Sequence, residues 1–339
     1  MSIRSLGKVS NDLWLDVARR CPYATYFHTP AWAQLMATVH PRLSVATRGF
    51  QLSDGIRAVL PLLTYDDGFL FRGYESMAPG VYGGPVAERP LTESEVNEIL
   101  DSVTGPRAGF LRVFGNPFLE CFRTAPDTAS DFTQVIDLRA GFESVAHRFH
   151  RNHRRSYAAS LSSGLRLDRA ASLKDFRDYY AAYRADRDRW AEQATTDDPF
   201  RLFEEIHRRE DPNVVLWLAR WQGRVVAGDL WLYWNRHNVG WHGAADPEHF
   251  DKHPTHFLLT EIIRDACARG AHCLDLNPSG GHSGVVGFKE SFGAERIYFR
   301  HANRPASRLY FASRRFARKA KQLLRFAVPT SSLSSGNPE

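Results

Sequence analysis

Strand-like runs over 214–221 and 224–234 are separated only by Gln222-Gly223, a pair suited to a tight hairpin, and this constrains the chain more than any other stretch. It commits the second half to an antiparallel pair. A further strand over 238–244 follows, then a helix over 255–269 closed by Gly270, then a strand over 273–276. Upstream, a basic helix over 142–161 ends at Gly164, 165–167 reads as a strand, and long helices are predicted over 173–189 and 199–209. The second half is therefore expected to be a mixed α/β unit.

The first half shows similar alternation. Helices are predicted over 11–20 and over 30–39, the latter carrying Trp32, Leu35 and Met36 at helical spacing. Strands over 43–50, 55–64 and 69–74 are divided by turn residues at Asp54-Gly55 and Asp66-Asp67-Gly68. After Val81-Tyr82-Gly83-Gly84-Pro85, the stretch Thr92-Glu93-Ser94-Glu95 resembles a capping box opening a helix over 92–102. Strands over 109–114 and 132–137 complete the unit.

With 339 residues, 43% hydrophobic and 24% charged, the chain is long enough for about two globular domains. No apolar run is long enough to span a membrane, and the first eight residues lack the apolar core of a signal peptide. A cytoplasmic monomer without stable membrane insertion is expected. Cys21, Cys121, Cys267 and Cys273 form no C-x-x-C pair and read as reduced thiols. The net charge of +6 is concentrated in two segments, 147–155 and 314–321. Their arginines, Arg154, Arg155, Arg314, Arg315 and Arg318 among them, read either as a solvated helical face or as a site for tRNA or another phosphate-rich ligand.

One lysine stands out. Lys289 lies between aromatics and glycines in Gly284-Val285-Val286-Gly287-Phe288-Lys289-Glu290-Ser291-Phe292-Gly293-Ala294, just past the strand-like Cys273-Leu274-Asp275-Leu276. A lysine there can neutralise charge developing on a reacting carbonyl. Two histidine groups invite a metal reading: His249, Asp251, His253 and His256, and His147, His150 and His153. Neither has the H-E-x-x-H pattern, and the second is interleaved with arginines, so no metal is expected.

Four stretches together resemble the FemAB-type (FemX-like) aminoacyltransferases: Phe27-His28-Thr29-Pro30-Ala31-Trp32-Ala33; Tyr82-Gly83-Gly84-Pro85-Val86; Asn152-His153-Arg154-Arg155-Ser156-Tyr157-Ala158-Ala159; and the run from His253-Pro254-Thr255-His256 to Phe288-Lys289 and Phe292-Gly293. The resemblance implies an α/β fold of two tandem GNAT-like acyltransferase domains with mixed sheets and flanking helices. Domain one is expected over 1–140, completed by a C-terminal helix over 305–328, domain two over 141–304, and a disordered tail over 329–339. It also implies transfer of an amino acid from aminoacyl-tRNA, as co-substrate, to an amine, with no cofactor. The acceptor class is a peptidoglycan precursor or a natural-product intermediate. By the same resemblance Lys289 is the catalytic electrostatic group, Phe288 lines the channel, Tyr82 contacts the acceptor, and Tyr180, Tyr183 and Arg187 on one helix face contact substrate. No base is identified.

The chain departs from its relatives in two ways. It lacks the long helical insertion of some cell-wall members, and Asn277-Pro278-Ser279-Gly280-Gly281-His282 stands where relatives place a glycine directly after the strand. Two other readings stay open. One is an acyl-CoA-dependent GNAT N-acyltransferase, against which stands the segment 246–254, where a CoA pyrophosphate loop needs glycines and has instead two prolines that remove amide donors. The other is a non-catalytic tRNA- or nucleotide-binding protein.

Overall fold

A computed structural model describes residues 3–65, 72–77, 81–104, 108–190 and 197–304. The helix expected over 305–328, with Arg314, Arg315 and Arg318, and the tail over 329–339 lie outside the described residues.

The first half contains β1 (Arg4–Lys8), α1 (Asn11–Arg20), α2 (Pro30–Val39), β2 (Leu43–Val45), β3 (Arg48–Gln51), β4 (Arg57–Leu60), β5 (Leu63–Tyr65), β6 (Arg72–Ser76), β7 (Val86–Ala87), α3 (Glu93–Val103) and β8 (Ala108–Val113). They form two four-stranded sheets, ordered β1-β3-β4-β7 and β2-β5-β6-β8. The strands expected over 43–50 and 55–64 are each split, because the chain changes sheets at both places. Pro61 has no N–H to continue a ladder. Beside it the Leu62 N–H donates to the Thr47 hydroxyl at 3.2 Å, and the Ala46 N–H to the Leu62 carbonyl at 2.8 Å. The expected cap on α3 is present, with the Glu95 N–H donating to Thr92 Oγ1 and the Thr92 N–H to the Glu95 carboxylate.

The second half contains β9 (Asp131–Asp137), α4 (Phe142–His147), α5 (Arg151–Ser162), β10 (Arg166–Arg169), α6 (Leu173–Trp190), α7 (Phe200–Arg209), β11 (Val214–Trp221), β12 (Arg224–Trp234), β13 (His237–Ala245), α8 (Pro254–Ala268), β14 (Cys273–Asp275), α9 (Ser283–Glu290) and β15 (Glu295–Phe299). One seven-stranded sheet runs β10-β11-β12-β13-β14-β9-β15. Its pairs are antiparallel except β13 with β14. Gln222 and Gly223 both take positive φ, 49° and 81°, as a two-residue hairpin turn matched to strand twist requires.

Two expectations change here. Strand β9 falls before the boundary expected at residue 140, yet it is inserted between β14 and β15, so its hydrogen bonds belong to the second sheet. The helix expected over 142–161 is two helices. Phe149 turns inward against Phe292, and the His150 N–H leaves the helical ladder to bond the Ser291 carbonyl at 2.8 Å.

Side chains alternate across the large sheet. Leu216, Leu218, Leu230 and Leu232 join a core shared with α6, α7 and the first half, while Trp217, Ala219 and Trp231 join one with α8 and Phe292. The two halves meet through large aromatics. Trp32 packs edge-on to Trp241 at 4.7 Å, and the Trp234 indole donates to the Ala18 carbonyl at 3.1 Å. Among the described residues, no helix is long and apolar enough to cross a membrane.

Because β9 carries fully buried Ile136 into the second core, Ile136→Ala is expected to cost about 2–5 kcal/mol. Urea denaturation at 25 °C, read as a midpoint shift at unchanged slope, checks this.

Candidate active site

The site arises where two parallel strands part. β13 and β14 are paired only at His237–Val239 with Cys273–Asp275, after which the chains diverge. On one side β13 continues as Gly240–Ala245; on the other the chain turns at Asn277, whose φ is +59°, and Pro278. Between them opens a cavity of about 630 Å³. The end of α6, the first turn of α8 and the side of α9 close its remaining walls.

Lys289 lines this cavity from the last turn of α9. Its Nζ donates to the Asn277 carbonyl at 2.6 Å and Ser279 Oγ at 2.9 Å, with a longer contact of 3.4 Å to the Pro278 carbonyl. Burial pulls the ammonium down to about 8, against the opposing charges of Asp275, Asp229 and Asp131. It is thus a partly dehydrated cation with two short hydrogen bonds and one long one. The long one can be exchanged for an oxygen in the cavity. Phe288, beside it, also faces the cavity and stands edge-on to His256 and Phe292.

The loop under Lys289 is fixed from below. Asp275 is fully buried, and its Oδ1 accepts from Thr133 Oγ1 at 2.5 Å, the Asn277 N–H at 2.9 Å and the Tyr82 hydroxyl at 3.3 Å. His237 Nε2 lies 3.4 Å from Oδ2. Burial disfavours a charged imidazole there, but Cys273 and Asp275 outweigh it and raise His237 to about 10. Ser279 is tied separately, donating to Gln134 Oε1 at 3.1 Å.

Of the residues singled out from sequence, Lys289, Phe288, Tyr183 and Arg187 come together around the cavity. Tyr180 does not join them. It turns away from the cavity wall, packing on Phe200 and Phe203 with its hydroxyl donating to the Asp198 carbonyl at 3.2 Å. Arg187 Nε lies 2.9 Å from Asp197 Oδ1. Tyr82, expected in a loop contacting the acceptor, is instead fully buried among Phe27, Phe118 and Phe299. The glycine after it serves backbone packing: a Cβ on Gly83 would fall 1.5 Å from the Ser76 carbonyl oxygen. Arg154 and Arg155 are exposed on α5, outside the cavity wall.

Asp229, which no sequence motif marks, also lines the cavity, from β12 opposite Gly243. Burial pushes its carboxyl up to about 7, although Trp231 and Lys289 pull it down. The available signal is a lone acid in Val225-Val226-Ala227-Gly228-Asp229-Leu230-Trp231-Leu232. Among the described residues several buried polar atoms of lining residues also lack a hydrogen-bond partner: Trp231 Nε1, His242 Nε2, His256 Nδ1 and Asn277 Oδ1. Such groups are normally paired, so they suit a polar occupant.

The two prolines of 246–254 do not exclude an anion site. Pro247 and Pro254 stand at helix starts, where the missing N–H costs little. Helix α8 has no side-chain cap, and the first N–H to enter its ladder is that of Phe257, bonded to the His253 carbonyl. Thr255 and His256 line the cavity, and among the described residues their N–H groups have no hydrogen-bond partner, so they can meet an anion.

Residues 146–290 match the acetyltransferase (GNAT) domain family. That segment contains every residue lining the cavity. No curated protein matches the chain in sequence. Similar solved structures include FemX, with 13% identity, a TM-score of 0.66, and coverage of 89% of this chain and 97% of that one. Another is the C-terminal domain of a putative lysylphosphatidylglycerol synthetase from Agrobacterium fabrum, with 12% identity, a TM-score of 0.53, and coverage of 93% and 98%. A conserved protein of unknown function from Bacteroides thetaiotaomicron has 9% identity, a TM-score of 0.54, and coverage of 88% and 100%. The fold is a FemX-like α/β arrangement of tandem GNAT-like units, as the motifs implied.

Asp275→Asn keeps the side chain's shape but sets an amide where several donors converge. It is expected to cost about 1–3 kcal/mol. Chemical denaturation measures the loss, and a shifted backbone resonance at Asn277 would locate it.

Proposed function

We propose that this chain transfers an aminoacyl group from the ester of an aminoacyl-tRNA to an amine, forming an amide. The observation that carries the reading is the Lys289 ammonium at the wall of the cavity between β13 and β14, within a FemX-like fold. The amine attacks the ester carbonyl, charge gathers on the carbonyl oxygen, and the tRNA ribose oxygen leaves. Lys289 stabilises that charge by exchanging its long Pro278 contact for the new oxyanion. Phe288, Tyr183 and Arg187 line the substrate channel, and the Thr255 and His256 amides suit a phosphate of the donor's terminal nucleotides. The exposed Arg154 and Arg155, together with a net charge of +6, favour a polyanionic donor. Acceptors are amines of the peptidoglycan-precursor or natural-product kind.

A second reading is acyl transfer from acyl-CoA. It is favoured by the match to the acetyltransferase domain family and by the open first turn of α8, which suits a pyrophosphate equally well.

Lys289→Met is expected to lower turnover about 10²–10³-fold with charged tRNA as donor, leaving tRNA binding intact. Full turnover in the variant removes the catalytic assignment. Lys289 is charged below its depressed value of about 8 and neutral above it, so wild-type turnover falls as pH rises through that value. In Lys289→Arg, where the charge persists, the alkaline fall moves upward; pH–rate profiles of the two proteins check this. Charge reversal of Arg154 and Arg155 should weaken tRNA binding and flatten its salt dependence, measured by filter binding across a salt series.

A further inference from the structure

We infer that Asp229 accepts the proton of the attacking amine, which makes the β12 side of the cavity an ammonium subsite. This rests on the acyl-transfer reading above, but holds for either donor.

The geometry starts from the strand. Asp229 sits on β12, inside the seven-stranded sheet, between the buried Gly228 and Leu230. Asp229 itself is half-buried and faces the cavity, and a carboxylate so far withdrawn from water ordinarily gains partners. Asp275 has them in Thr133, Asn277 and Tyr82, and Glu75 has them in Tyr65 and Arg112. Asp229 is less well served. The Trp231 indole is the donor directed toward it, yet Trp231 Nε1 makes no well-formed hydrogen bond among the described residues. Its opposite neighbour in the register is Gly243, where an added Cβ would lie 3.2 Å from Asp229 Oδ1. Glycine leaves the carboxylate room on the cavity side. Trp231 and Trp241 line the same space, and aromatic faces suit an ammonium group.

Two of the cavity's histidines are weaker bases. Burial holds both His242 and His256 down at about 4, so neither binds a proton strongly at neutral pH. The other ionisable groups on the cavity wall are Tyr183, Asp186, Arg187 and Arg189 on α6, His253 before α8, His282 before α9 and Lys289 on α9, with Tyr179 of α6 behind them. Asp229, raised to about 7, is ionised just where Lys289 is still charged, between about 7 and 8. Base and oxyanion partner therefore coexist near neutrality.

An alkylammonium acceptor gives one proton to the Asp229 carboxylate and becomes a neutral amine. Its lone pair forms the N–C bond at the donor carbonyl while the C–O bond to the ribose, or the C–S bond of a thioester, breaks. The remaining excess nitrogen proton passes to the leaving oxygen or sulfur, and protonated Asp229 returns its proton to solvent.

Two measurements on the full chain test this. In protein labelled with ¹³C at aspartate carboxyls, the resonance lost in Asp229→Asn should titrate near neutrality, and Lys289→Met should move its midpoint upward. A midpoint in the ordinary carboxylate range overturns the proposal. In transfer assays with charged tRNA and with acetyl-CoA as donors, Asp229→Asn should lower the rate about 10²–10⁴-fold with cell-extract amines as acceptors. Hydroxylamine, already neutral at pH 7, should suffer much less; an equal loss with both acceptors, or none with either, also overturns it. Gly243→Ala, which crowds the carboxylate without removing it, should give a smaller loss of the same kind. If the wild type transfers from neither donor, the proposed function fails while the titration still decides the character of Asp229.

Discussion

Asp275 is the fixed point of the site. Its carboxylate is fully buried at the last paired residue of β14, and it holds the Asn277 N–H at 2.9 Å just as the chain leaves the sheet. Asn277 is thereby set in its left-handed conformation, and its carbonyl is the closest acceptor of the Lys289 ammonium. Thr133 and Tyr82 reach the same oxygen from β9 and from the first half. The position of one cation in the cavity thus depends on a buried acid held by three separate segments. Removing one of these donors from a buried carboxylate is costly, the more so because its Oδ2 has no hydrogen-bond partner among the described residues and only His237 beside it at 3.4 Å.

The parting of β13 from β14 supplies the remainder. Parallel strands that stay paired leave no opening, whereas here pairing stops after three residues and small residues continue along β13 as Gly240, Gly243, Ala244 and Ala245. Tyr183, Trp190, Trp231, Trp241, Phe250 and Phe288 supply much of the apolar wall, and the polar atoms left without partners among the described residues are few and specific. That combination, an apolar cleft with a few convergent polar groups, is typical of small-ligand sites. In it, a cation of lowered proton affinity and an acid of raised proton affinity line the same cavity.

Much of this is legible in local sequence. Gln222-Gly223 announces its hairpin because only a narrow set of residues fits two successive positive φ values, and Gly270 marks the end of α8's segment with a φ of +71°. Lys289 and Phe288 stand out because their neighbours are small and aromatic. What escapes depends on distant contacts. Nothing near Pro61 says that the chain changes sheets, and nothing in 131–137 says that β9 will lie between β14 and β15. Tyr82 reads as a loop residue until the other half supplies Asp275 as its partner. Asp229 needs the cavity before a single acid in an apolar strand acquires meaning.

The most direct measurement is transfer of a labelled amino acid from purified, charged bulk tRNA to cell-extract amines by the full chain, with RNase-treated and acetyl-CoA reactions run in parallel. Expected is an amide product that forms from charged tRNA and disappears after RNase treatment. A product that survives RNase and forms only with acetyl-CoA would contradict the aminoacyl-tRNA donor.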